Sequence, residues 1–213
     1  MEGWPLRLKT MQSQAYLYKW SGPNGWSMEY ETFASNANEQ ERLSVTAQDA
    51  GEYKVQLINN EGCIAYEGST LIDVTPAPQA PCILSANSST SSVAGVGDYD
   101  FTSRSFVGSG NFYTVAAAEG TAPGTPYMRF AFAGATPPLP GVYTVAPTTF
   151  GLEPGTVGLY IETITYQFYA WPDQKVYVTK VNGKLSVSFC SLTFGNPLNP
   201  SKPITISANV TEP

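Results

Sequence analysis

The chain has 213 residues, 42% apolar and only 13% charged, with a net charge of −6 and no histidine, enough for one large β-domain or two ordinary ones. The missing histidine excludes Ser-His-Asp and Cys-His catalysis and every histidine-containing metal site, and no cluster of basic residues invites nucleic acid or an anionic membrane. No apolar run is long enough to cross a bilayer, so membrane insertion is not expected.

The opening MEGWPLRLKT lacks the apolar centre of a signal peptide. Either the protein is cytosolic or the chain is a mature or trimmed piece of something longer, and so few charges with 13 tyrosines favour the second expectation. Leu6 and Leu8 alternate with Arg7 and Lys9, which predicts a first strand with one buried face. Tyr16, Tyr18 and Trp20 in AYLYKW predict a second, closed by the turn signal SGPNG. Residues 34–42, ASNANEQER, are polar all round and read as a loop with at most a turn of helix. Leu43 and Val45 predict another short strand. Asp49, Gly51 and Tyr53 then lead into a strand with Val55 and Leu57 on one face. The turn NNEG precedes Cys63, and a last strand is expected through Leu71 to Val74.

Leu8 precedes Trp20 by about the spacing that separates the first cysteine from the core tryptophan in immunoglobulin domains. Asp49, Gly51 and Tyr53 match the tyrosine corner of that fold, and Leu8 and Val55 stand where its disulfide would be. YKWSGPNGW followed by AGEYKVQLINNEGC resembles the immunoglobulin-like and PKD-like repeats of secreted Bacteroidota surface proteins. The resemblance implies an immunoglobulin-like β-sandwich over residues 1–74 and a secreted or cell-surface location. An immunoglobulin-type sandwich normally has a strand before the one carrying Leu8, and only MEGWP stands there. Either the edge has been trimmed, or another chain supplies it by edge-strand pairing.

VTPAPQAPC places three prolines in a short span, which predicts an extended linker over residues 75–81. Residues 82–213 then form a second β-sandwich or barrel-like domain, making the chain all-β with two domains in tandem. Met128, Phe130 and Phe132 alternate with Arg129 and Ala131, another half-buried strand. VNGK, residues 181–184, calls for a two-residue hairpin turn. That register pairs Val178 with Val187 and Val176 with Phe189 on a core face, and leaves Tyr177, Ser186, Ser188 and Cys190 on the other. PGVYTV, VTKVNGKLSVSF and the terminal ISANVTEP resemble small β-domains of Bacteroidota lipoproteins of unassigned function, which carry no catalytic residues to transfer.

Cys63, Cys82 and Cys190 are widely spaced. A Cys82–Cys190 bridge, a Cys63–Cys82 bridge across the linker, and three reduced thiols all remain open. Asp98 and Asp100 have the spacing of a calcium-loop fragment without its later ligands, so a solvated turn is expected and no metal or cofactor. Glu153, Glu162 and Asp173 are the carboxylates available for glycosidase chemistry, and nothing in the sequence pairs them. In TYQFYAW, Thr165, Gln167, Tyr169 and Trp171 share one face and Tyr166 and Phe168 the other. If the second face is core, Tyr169 and Trp171, with Tyr177 of the next strand, are exposed rings suited to stacking on sugars. The expected function is a non-catalytic surface module for adhesion, display or spacing, with another surface protein as partner. The alternative is a carbohydrate-binding module whose partner is a polysaccharide.

Overall fold

The computed structural model describes residues 1–13, 17–31, 34, 36–93, 96–122, 124–163, 165–181 and 183–213. These are all-β apart from two short 3-10 turns. Two compact units are present, Met1–Ala77 and Pro78–Pro213, divided within the proline-rich stretch. The expectations placed on Tyr16, Ser35 and Asn182 lie outside the described residues.

The first unit contains β1 (Leu6–Lys9), β2 (Leu17–Ser21), β3 (Ser27–Glu31), β4 (Glu39–Arg42), β5 (Gly51–Ile58) and β6 (Ile64–Ile72). β1 pairs with β4, and β3-β2-β5-β6 form a second antiparallel sheet. Along β5 every second residue, Tyr53, Val55 and Leu57, turns inward. They pack with Leu8, Tyr18 and Trp20 in one apolar core. The polar atoms that this core buries are paired. Trp20 Nε1 donates to the Ala37 carbonyl at 3.0 Å, and the Tyr53 hydroxyl donates to the Asp49 carbonyl at 2.9 Å. Asp49 also closes a capping box with Thr46 and meets the Arg42 guanidinium at 2.5 Å, which in turn lies 5.7 Å from the Trp26 ring centre.

Three strand expectations in this unit need correction. Residues 39–42 form a strand, not a loop. Apolar periodicity is missing there because charge sets the pairing: Arg7 lies opposite Glu41 and Lys9 opposite Glu39, each as an ion pair. Leu43 is 77% exposed and belongs to no strand, while Val45 is buried beside the chain start through a bond from its N–H to the Trp4 carbonyl. The last strand ends at Ile72, and Leu71 faces solvent because β6 is a sheet edge whose outer side nothing covers among the described residues. Cys63 is an exposed free thiol in the β5–β6 turn. That turn is built on Asn59, whose Oδ1 accepts the Glu61 and Cys63 N–H groups.

The second unit contains β7 (Ser88–Ser91), β8 (Tyr99–Asp100), β9 (Ser103–Ser109), β10 (Phe112–Ala118), β11 (Tyr127–Ala133), β12 (Gly141–Val145), β13 (Thr156–Glu162), β14 (Gln167–Ala170), β15 (Lys175–Val181), β16 (Lys184–Asn196) and β17 (Asn199–Thr211). Their order is β8-β7-β17-β16-β15-β12-β13-β11-β10-β9, and β14 bonds to both β13 and β16. The sheet therefore rolls back on itself, because β16 bends. Its first half pairs with β15 and its last residues with β14. The bend is a bulge at Ser191, where φ is +51° and the register against β17 shifts. Cys190, next to the bulge, is bonded to Cys82 at a sequence separation of 108. Closing so long a loop removes about 4–5 kcal/mol of unfolded-chain entropy in the chain-entropy view.

One core fills this unit. The β15–β16 hairpin pairs Val178 with Val187 and closes through a two-residue connection with Gly183 at φ +80°. Val176, Val178, Val187 and Phe189 are fully buried. Phe189 meets Phe130 of β11 at 6.0 Å between ring centres, and Met128, Phe130 and Phe132 all point inward. Ser186, on the other face of the hairpin, is also buried, held by Asn209 and Thr211.

Candidate functional site

The inward residues of β11, β13 and β14 fix what stands on their outer face. With Met128, Phe130, Leu159, Ile161, Phe168 and Ala170 in the core, alternation leaves Tyr127, Arg129, Tyr160, Glu162, Gln167 and Tyr169 outside. Register then sets them in two rows across the strands. One row runs Ser103, Ala118, Tyr127, Glu162, Gln167. The other runs Ser105, Ala116, Arg129, Tyr160, Tyr169, Gly195.

The rings form a series. Tyr127 and Tyr160 are 6.0 Å apart between centres and Tyr160 and Tyr169 are 5.8 Å apart. Trp171 continues the face beyond Tyr169, at 48% exposure against 36% for Tyr169. Its indole lies over Gly195, where a Cβ would come within 2.7 Å of Nε1, so only glycine lets the ring lie down at this point. Gln174 holds the Trp171 segment in place, donating to the carbonyls of Trp171 and Thr193 and accepting the Thr193 N–H.

Hydrogen bonds tie the rings to one another. Tyr127 donates to Glu162 at 2.7 Å, and Gln167 donates to the same carboxylate oxygen at 2.7 Å. The Tyr169 hydroxyl donates to Gln167 Oε1 at 2.8 Å. Arg129 donates to the Tyr160 hydroxyl at 3.3 Å and reaches Thr114. Burial, reinforced by the bonds to Tyr160 and Glu162, pushes the Tyr127 phenol well above its ordinary value, so it stays a proton donor. The face thus offers fixed rings edged by a carboxylate, an amide, a guanidinium and phenols. Such a surface holds apolar C–H faces while bonding hydroxyl groups.

Tyr169 and Trp171 stand together on this face. Tyr177 does not join them: its partners are Val142 and Ser188, on the first half of the bent β16, and it is half-buried there. Glu162 lies at the centre of the rows, while Glu153 and Asp173 are exposed in turns. The Asp98 carboxylate accepts the Ser91 N–H and so belongs to a turn. Tyr127, Arg129 and Tyr160 carry no mark in the sequence as site residues. Alternation gives their face, but only the β11–β13–β14 register brings them beside Tyr169. The sequence matches no protein-family model and no curated protein.

Proposed function

We propose that this protein is a non-catalytic, glycan-binding surface module of an exported protein. The observation that carries the reading is the ring series on one sheet face, in which the half-buried Tyr127 and Tyr160 lead to the exposed Tyr169 and Trp171, held by register and hydrogen bonds. Pyranose rings present C–H faces to such a surface. The Cys82–Cys190 bridge supports an oxidising compartment, and no helix among the described residues is long and apolar enough to cross a membrane. The first unit, with its resemblance to immunoglobulin-like and PKD-like repeats, serves as the displaying spacer.

A second reading, adhesion through another surface protein, is favoured by the first unit. Its strands β1 and β6 have unpaired edges among the described residues, and a hollow of about 390 Å³ lined by both reaches Trp20, Tyr53 and Val55.

The test is retention of the full chain on insoluble cellulose, xylan and mannan, with a glycan array alongside. Wild type is retained on at least one of these. Trp171→Ala and Tyr169→Ala each weaken retention by about 1–3 kcal/mol, the size of other ring-stacking contacts. Equal retention of wild type and both variants removes the glycan reading.

A further inference from the structure

We infer that the glycan is a neutral, linear chain laid across the strands, filling two hollows at once on either side of Glu162. This rests on the glycan reading of the same face. One hollow, of about 330 Å³, lies over β9 and β10 and is walled by Tyr127 and Glu162. The other, of about 360 Å³, lies over β14 and the β16–β17 connection, with Tyr166, Tyr169 and Leu198 around it. Both are bounded by Glu162 and Thr163, so they are neighbours along one track. The row from Ser103 to Gln167 crosses four strand spacings, roughly 19 Å, longer than a disaccharide.

The two ends differ in how they hold a sugar. Over β9 and β10 the outward side chains are Ser103, Ser105, Ala116 and Ala118, so the sheet itself is a low floor with hydroxyl groups. Over β14 the walls are rings, with Tyr166 at 52% exposure and Leu198 at 88% beside the buried Asn196. A flat ribbon of sugars fits a low floor leading to stacking rings, and a compact branched ligand does not. The charge chemistry selects among ribbons. Glu162 is the one charged side chain lining either hollow among the described residues, and Arg129, in the neighbouring row, lines neither and bonds the neutral hydroxyls of Tyr160 and Thr114. A carboxylate shared by both hollows repels uronate or sulfate groups, so the track suits a neutral polyol.

Calorimetry of the full chain with cello- and xylo-oligosaccharides, from di- to hexasaccharide, tests this. Oligogalacturonates of matching length are the anionic probes. Affinity should rise at least tenfold from the disaccharide to the hexasaccharide. Ala118→Trp, which raises the floor of the first hollow, should bring the hexasaccharide down to shorter-chain affinity, so that the rise with chain length disappears. Ser105→Tyr, at an exposed edge position, provides the same block should the first variant fold poorly. A disaccharide that binds as tightly as the hexasaccharide, or blocked variants that bind long chains normally, overturns the two-hollow span and leaves the aromatic face standing. Tighter binding of oligogalacturonate overturns neutrality. Binding of no oligosaccharide at any length overturns the glycan reading itself, and this inference with it.

Discussion

The two units solve the same problem, joining two layers of sheet, in different ways. In Met1–Ala77 the core is a handful of residues around Trp20, and polar clamps finish it: Trp20 to Ala37, Tyr53 to Asp49, Asp49 to Thr46 and Arg42. In Pro78–Pro213 a single long strand bends and serves both layers, a disulfide is anchored beside the bend, and a much larger core lies inside. A small sandwich has little apolar area, so each buried polar atom must find a partner. A large one can leave a whole outer face to rings and hydroxyl groups that contribute little to folding.

If the first unit depends on one ring, removing it should be the costliest change in the molecule. Trp20→Ala is expected to lose about 3–5 kcal/mol and abolish the unit's unfolding transition. Urea denaturation followed by near-UV signals should show the second unit's transition unmoved, and a shift in both would end the comparison. Next comes the disulfide. Cys82→Ser with Cys190→Ser should cost the second unit about 2–5 kcal/mol and leave the first untouched, since Cys63 is free. Dithiothreitol added to wild type should give the same pattern.

The corner of the first unit is a finer test. Tyr53→Phe keeps the ring and loses one bond to the Asp49 carbonyl, worth about 1 kcal/mol in urea midpoint. The outer face of the second unit should be the least sensitive. Trp171→Ala should move its stability by under about 1 kcal/mol while glycan retention falls. A collapse of its melting transition would place Trp171 with the core instead.

Alkali probes both units together. Burial raises the phenols of Tyr53 in the first unit and of Tyr99, Tyr113, Tyr127 and Tyr143 in the second. Since the folded values lie above the ordinary 10.0, the stability these groups contribute is intact below that pH and lost as pH rises through the folded values. Phenolate absorbance should lag in the native protein and jump on unfolding. Tyr127→Phe should reduce the jump in the second unit, and an unchanged jump would mean that Tyr127 ionises freely.

Local signals explain the parts of the fold that were legible. Leu8, Trp20 and Val55 alternate with polar neighbours, and Val-Asn-Gly-Lys fixes a hairpin whose register follows by counting. Such features need only contacts near in sequence or strict two-residue periodicity. β4 was illegible because nothing apolar marks EQER, and its strand character exists only opposite Arg7 and Lys9, about thirty residues away. Leu43, in a bend, and Leu71, on an edge strand, misled for the opposite reason, since a single apolar side chain can face water at modest cost.

The site divides the same way. By itself the sequence determined that Tyr169 and Trp171 share a face, because the period of a strand is a local property. It also determined the all-β class and the absence of histidine chemistry. Only the tertiary structure decided which rings stand beside them. Tyr127 and Tyr160 reach Tyr169 through pairings between strands distant in sequence, and the bend at Ser191 carries Gly195 beneath Trp171 while leaving Tyr177 of β15 paired to an earlier stretch of β16. Those neighbours depend on register between strands and on how the sheet rolls, and both are set by packing of the whole core.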